Sequence, residues 1–170
     1  LMIDLVQVIP GKEYGVMHRQ NRSENEVVVV VKPWSDEKKP VLKEQYRKAI
    51  EDYIEPYRLI NTKVTVESAR YAGICVHGKI ALEQDSPKTR KAVLERISRE
   101  LSYTERKHPF GTVISYGQLF TALENTEGVK KVLELNLERT GNAARKNDRG
   151  DVLLDADALG ILEETDLEFC

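Results

Sequence analysis

Cys75 and His77 stand two residues apart in the alternating stretch Arg70 to Leu82. On a strand that spacing puts the thiol and the imidazole on one face, as a Cys and His dyad or a pair of metal ligands requires. Structural zinc takes four ligands and catalytic zinc three plus a water. His18, His108 and Cys170 are the only other residues of these two types. The count predicts no metal site, no bound cofactor and no disulfide, and a strand whose less apolar face carries Tyr71, Cys75 and His77. Asp155 with Asp157 and Glu163 with Glu164 offer carboxylate pairs. Acid and base work needs one carboxyl of raised pKa in a cleft, whereas Gly150 to Cys170 holds seven acidic residues and no basic one, the composition of an acidic surface. Gly73 and Gly78 lie inside the strand pattern rather than between a strand and a helix. They predict a bulge or close backbone approach, not a phosphate loop.

A second candidate is Pro109 to Phe120, PFGTVISYGQLF, which resembles the segment preceding the reactive cysteine in alkylguanine DNA alkyltransferases. Those enzymes work through a thiolate in a Pro-Cys-His-Arg context. No such tetrapeptide occurs in this chain, so the stretch reads as a capped helix entry and no catalytic residue is assigned.

The elements that would position any site follow from composition and periodicity. With 170 residues, 41% hydrophobic and 32% charged, the chain is long enough for one good-sized domain or two small ones. The longest apolar run, Val27 to Val31, is far short of a membrane span, and the start has no export-signal pattern. The chain begins at Leu1 in strand-like sequence, so residues 1–26 are expected to be a strand and loop continuing from an upstream part. Residues 27–170 form the α+β body, with a subdomain boundary near 68–70. A first strand spans Ile3 to Ile9 and a polar loop Met17 to Glu26, followed by a central strand at Val27 to Val31. Leu42, Tyr46, Ala49, Ile50, Tyr53 and Ile54 recur at helical spacing and predict a helix from Pro40 to Glu55, stopped by Pro56. Thr62 to Glu67 and Arg70 to Leu82 read as antiparallel partners or consecutive strands of one sheet. Ser86 and Pro87 open a second long helix, and Ser115 caps a short third one. Leu133, Leu135 and Leu137 alternate in a half-buried strand. Arg139 to Gly150 has the Gly, Asn and Asp content of a mobile loop, and short strands follow near Val152 to Leu154 and Ile161 to Phe169. The order is β-α-β-β-α-α-β in mixed sheets.

Net charge is −2, with Lys and Arg gathered in Lys88 to His108 and Arg139 to Arg149. Apart from Tyr103 these segments lack the aromatics of a single-strand nucleic-acid binder. A protein contact or a solvated face is favoured over nucleic acid, and the residues selected for contact are Arg139, Arg145, Lys146 and Arg149.

The order of the elements resembles the C-terminal region of the J-type baseplate wedge proteins of contractile phage tails and related injection systems. A Val-rich strand precedes a helix ending in Glu55, Pro56, Tyr57, Arg58, Leu59 and Ile60. After the long strand and a helix come Pro109, Phe110 and Gly111, then a short helix with Tyr116 and Leu119, and a strand opened by Gly128 and Val129. Ala158 to Glu163 also matches. The loop before Pro109 is charged where many relatives are glycine-rich. The resemblance implies a structural component of a baseplate wedge, not an enzyme, assembled in the bacterial cytoplasm. Its implied partners are copies of itself, as a dimer or homo-oligomer, and other wedge and hub proteins, with no small-molecule substrate and no membrane. The alternatives are a nucleic-acid or general interaction module using 88–108 and 139–149 and, more remotely, a cysteine-dependent enzyme.

Overall fold

The computed structural model describes residues 2–104, 106 and 109–170. The chain divides into two compact units, Leu1–Arg70 and Tyr71–Cys170. The fold is α+β, with nine strands and four α-helices among the described residues.

The first unit holds β1 (Ile3–Pro10), α1 (Gly11–His18), β2 (Glu26–Pro33), α2 (Glu44–Ile54), a 3-10 turn at Glu55–Tyr57 and β3 (Lys63–Ser68). The three strands lie in the order β1-β2-β3, with β1 antiparallel and β3 parallel to β2. As the all-valine run predicts, β2 is central. Val29 and Val31 face α2 together with Val66, and they pack against Leu42, Tyr46, Ile50 and Ile54. Two polar contacts fix the helix to the strand. Glu51 accepts a hydrogen bond from the Val66 N–H at 3.0 Å, and the Ser68 hydroxyl accepts one from the Leu42 N–H at 3.0 Å. On the other face Val28 and Val30 are fully buried. There the Arg22 guanidinium lies 4.9 Å over the Tyr14 ring and bonds the Thr65 hydroxyl at 2.9 Å.

Several expectations are corrected here. The segment after Pro10 is helical as α1, not the end of a strand running into a loop. Two glycines and a single buried aromatic, Tyr14, give GKEYGVMH no apolar stripe to read, and a Cβ at Gly11 would come 2.5 Å from Glu26 Cβ. Helix α2 starts at Glu44 rather than Pro40, and its buried stripe leaves out Ala49 and Tyr53, both exposed. Strands β3 and β4 (Arg70–Leu82) belong to different sheets. Only Ala69 separates them, which is too short for a hairpin.

The second unit continues from β4 through α3 (Pro87–Leu101), β5 (Val113–Ile114), α4 (Tyr116–Glu124), β6 (Val129–Thr140), β7 (Ala144–Lys146), β8 (Val152–Leu154) and β9 (Ala158–Phe169). Its sheets have the orders β6-β4-β9 and β5-β8-β7. Strand β6 runs antiparallel to β4. Cys170 donates its N–H to the Ile80 carbonyl and accepts from the Leu82 N–H, the pattern of a parallel neighbour, so β9 runs alongside β4 in the same direction. The inward row Ala72, Ile74, Val76, Ile80 and Leu82 meets Val93, Ile97 and Leu101 of α3 and Leu119 and Leu123 of α4. Both predicted caps are present: the Ser86 hydroxyl accepts from the Thr89 N–H and the Ser115 hydroxyl from the Gln118 N–H, each at 3.2 Å.

The alternation of Leu133, Leu135 and Leu137 does not survive intact. The ladder passes from Lys79 opposite Glu134 to Ile80 opposite Val132, so residue 133 is skipped as a bulge and Leu133 is left exposed. Arg139 to Gly150 is not one continuous loop: five of its twelve residues lie in strands. Strand β6 runs to Thr140, Gly141 turns the chain at φ +77°, and β7 follows. The close backbone approach read from sequence is at Gly78, where a Cβ would lie 2.5 Å from the Glu134 carbonyl oxygen. At Gly73 the neighbours are side chains: Glu163 of β9 crosses it to accept a hydrogen bond from the Thr140 hydroxyl of β6 at 2.7 Å. A methyl group at Gly73 would collide with both side chains, whereas one at Gly117 in α4 would find nothing nearer than the Ser115 hydroxyl at 4.0 Å. The exposed Glu163 and Thr140 side chains can swing aside, whereas the Glu134 carbonyl oxygen, 2.5 Å from a Cβ built at Gly78, cannot. Gly78→Ala should therefore lower unfolding free energy by ~1–3 kcal/mol, while Gly117→Ala should leave it unchanged or raise it by up to ~1 kcal/mol. Urea unfolding followed by circular dichroism separates the two.

Candidate functional site

The four basic residues selected for contact fall on β6, β7 and the turn after β7, and they do not form one cationic patch. Lys146 is committed to an ion pair with Glu138 at 2.9 Å and a hydrogen bond to the Asn136 side-chain oxygen at 2.8 Å. Asn136 in turn donates to Glu138 at 3.0 Å, so the Glu138 carboxyl is held below its ordinary value, first by Lys146 and then by Asn136. Arg139 folds back to donate to the Gly141 carbonyl. Arg145 and Arg149 are exposed. Arg145 follows Ala144 and precedes Lys146 on β7, so its side chain leaves the strand on the side opposite Lys146. Of the four, Arg145 and Arg149 are the side chains left to meet a partner.

The turn that carries Arg149 is tied to a helix. Asn147 donates to Asp151 at 3.1 Å and accepts from the Arg149 and Asp151 N–H groups, each at 3.0 Å. Asp151 also accepts from the Tyr116 N–H at 2.9 Å, in the first turn of α4, where a carboxylate meets the positive end of the helix. This reach of 35 residues gives Asp151 a structural role that sequence spacing does not reveal. Arg149 is thus presented on a rigid bracket.

The Cys75 and His77 pair is separated by environment. Cys75 is buried, and burial pushes its thiol pKa up, with the carboxylates of Glu164, Glu163 and Glu138 adding to the shift. A thiol so placed stays protonated and is a poor nucleophile. The imidazole Nδ1 of His77 sits 3.8 Å from Asp166 on the sheet's outward face. Among the described residues no group of three or more His, Cys, Asp and Glu side chains is placed to hold a metal ion. His108 lies outside the described residues, as does part of the basic segment that precedes it. No helix among the described residues is long and apolar enough to cross a membrane.

A strongly exposed apolar group lies at the end of α2, and of its members Tyr53 is the one that helical spacing had turned inward. Tyr53, Tyr57, Leu59 and Ile60 are 72%, 76%, 77% and 90% exposed at the end of α2 and the turn after it, and the two tyrosine rings lie 5.8 Å apart. Beside them a polar cleft of about 610 Å³ is lined by Glu55, Arg58, Asn61 and Lys63, with Arg58 paired to Glu55 at 2.8 Å. Exposed aromatic and aliphatic side chains next to an arginine have the composition of interface anchors. The cue available in sequence was Pro56: a helix stopped there has no further turn to cover Tyr53.

No protein-family model matches the chain, and no curated protein does. Among solved structures it is similar to a chain of the six-fold symmetrised anti-feeding prophage (AFP) baseplate, with a TM-score of 0.59 and 15% identity. The match covers 83% of this chain and 29% of that one. The likeness shows a shared fold, and this chain spans under a third of its neighbour's length.

Two outcomes follow from these environments. In the folded protein a maleimide reagent should label Cys170 readily and leave Cys75 unmodified until denaturant is added, as mass spectrometry would show. For Asp151 the folded-state pKa is depressed by the Tyr116 N–H first and Asn147 second. Its contribution to stability is therefore present above the unfolded value near ~3.9 and lost as pH falls through the lower folded value. Asp151→Asn should be less stable than the parent at about pH 6, with the gap closing towards pH 2.

Proposed function

We propose that this chain is a structural component of the baseplate of a contractile tail or injection machine, acting through contacts with copies of itself and with other baseplate subunits. The observation that carries the reading is the fold shared with a baseplate chain over most of this chain's length. The order of its sequence elements, from the Val-rich strand through Glu55 and Pro56 to Pro109, Phe110 and Gly111, independently resembles the J-type wedge proteins. We assign it to the wedge on that resemblance, with hub and other wedge proteins as partners and the baseplate as its place of work. A part of this kind needs rigid elements, charged surfaces that select partners and anchors that bury on assembly.

The side chains fit that demand better than they fit chemistry. Cys75 is held protonated, and the carboxylates of Glu138 and Asp151 are held ionised by hydrogen bonds, so none is poised to exchange a proton near neutral pH. We propose that the chain has no catalytic activity. Contacts fall to two surfaces: Arg145 and Arg149 on β7 and its turn, and the ledge of Tyr53, Tyr57, Leu59 and Ile60.

Co-expression with the products of adjacent tail genes tests this reading. The tagged chain should retain at least one of them through washing. Tyr57→Ala with Ile60→Ala, or Arg145→Ala with Arg149→Ala, should weaken that capture about tenfold or more with an unchanged melting curve, because interface anchors of this kind each contribute ~2 kcal/mol or more. Retention of no tail protein, or capture insensitive to both pairs, would contradict the proposal.

A further inference from the structure

The outer edge of β1 lacks the devices that guard the opposite rim of its own sheet and the rim strand β9. Strand order places β1 at a rim, so no described strand pairs with its far side. The opposite rim of the same sheet is guarded, because the outward Val66 N–H is taken by the Glu51 carboxylate at 3.0 Å. In the second unit the rim strand β9 carries Glu163, Glu164, Asp166 and Glu168. Charges of this kind are the usual defence of an edge against pairing with another chain. From Leu5 to Ile9, LVQVI, β1 has none, and the charge just before, Asp4, is neutralised by Lys32.

The backbone register shows which groups are open. The Ala69 N–H donates to the Val31 carbonyl at 3.0 Å, so odd-numbered residues of β2 turn their peptide groups toward β3. Even-numbered residues Val28, Val30 and Lys32 therefore face β1, where they stand opposite Ile9, Gln7 and Leu5. Val6 and Val8 must then aim N–H and C=O away from the sheet. Their side chains are also exposed, at 50% and 60%, on the face where Val31 and Val29 stand opposite them and pack under α2.

We propose that this edge pairs with the β1 edge of a second copy, antiparallel, about a two-fold axis at Gln7. On that axis both outward-facing residues of the uncharged stretch find an outward-facing partner. Val6 falls opposite the second copy's Val8, and Val8 opposite its Val6. Each such pair exchanges two main-chain hydrogen bonds, and the four valines form one apolar stripe across the joint. The uncharged stretch sets no like charges against each other, which favours a second copy over a strongly basic or acidic strand. The result is a six-stranded sheet running through two subunits. This assigns a surface to the self-association in the baseplate reading and rests on that part of it.

Disulfide trapping in the full chain tests the axis. In a Cys170→Ser background, Gln7→Cys places two thiols at a non-hydrogen-bonded pair, within disulfide reach, and oxidation should give a covalent dimer. Ile3→Cys, held ~25 Å from its mate by the same axis, should give none. Val8→Pro removes an outward N–H and no bond to β2, and should raise the dimer Kd about tenfold or more, the effect of a ~1.4 kcal/mol contact, by sedimentation equilibrium. A dimer that survives Val8→Pro and does not cross-link at Gln7 would overturn the β1 joint while leaving self-association intact. A parent chain that is monomeric at every concentration would overturn both. Neither result bears on capture of other tail proteins, which tests the wider assignment separately.

Discussion

The second unit depends on one strand being buried along its whole inward row. Ala72, Ile74, Val76 and Ile80 of β4 are fully buried, and β6 and β9 hold β4 from its two sides. Each buried aliphatic side chain of this size contributes roughly 1.5–3 kcal/mol, so the row supplies stability that α3 and α4 share by packing on it. The requirement for close packing extends to the outward face. There Gly73 has no side chain because Glu163 and Thr140 occupy the space above it. The sheet, α3, α4 and the turn held by Asp151 thus pack around one shared core.

In the first unit a single helix, α2, packs on one face of the sheet. The three-stranded sheet has valines on both faces of β2, and α2 covers the side of Val29, Val31 and Val66. One helix does not cover all of that side, and Val6 and Val8 stay exposed. The uncovered valines and the ledge at Tyr53 to Ile60 are therefore consequences of how much surface one short helix can bury. Under the assembly role proposed above, such leftovers are the surfaces available for contacts.

The sequence disclosed strands and helices whose signal is strong and local. Val27 to Val31 fits a central strand better than an edge, Ser86 with Pro87 signals a helix start, and the central strand and the capped helix are found there. It was silent where the decision is tertiary. Helix α1 has no apolar stripe, and the turn after β7 holds its shape through Asp151 reaching Tyr116, so composition made both look like loops. The pairing of β3 and β4 was misread because two apolar strands in succession resemble a hairpin, although a single intervening residue forbids one. For the candidate site, Lys146 could be named as basic but not as already paired with Glu138. Tyr53 was misread because helical spacing describes a face without saying where the covering layer ends.

We propose a mechanical role, in which the chain helps to build a baseplate and does no chemistry. The most direct measurement is to tag the chain at its native locus, isolate contractile particles from the organism that encodes it, and image them by electron microscopy with a gold label on the tag. Label at the baseplate in symmetric copies around the tube is the predicted result. Particles that assemble fully with no copy of the chain at that end would contradict it.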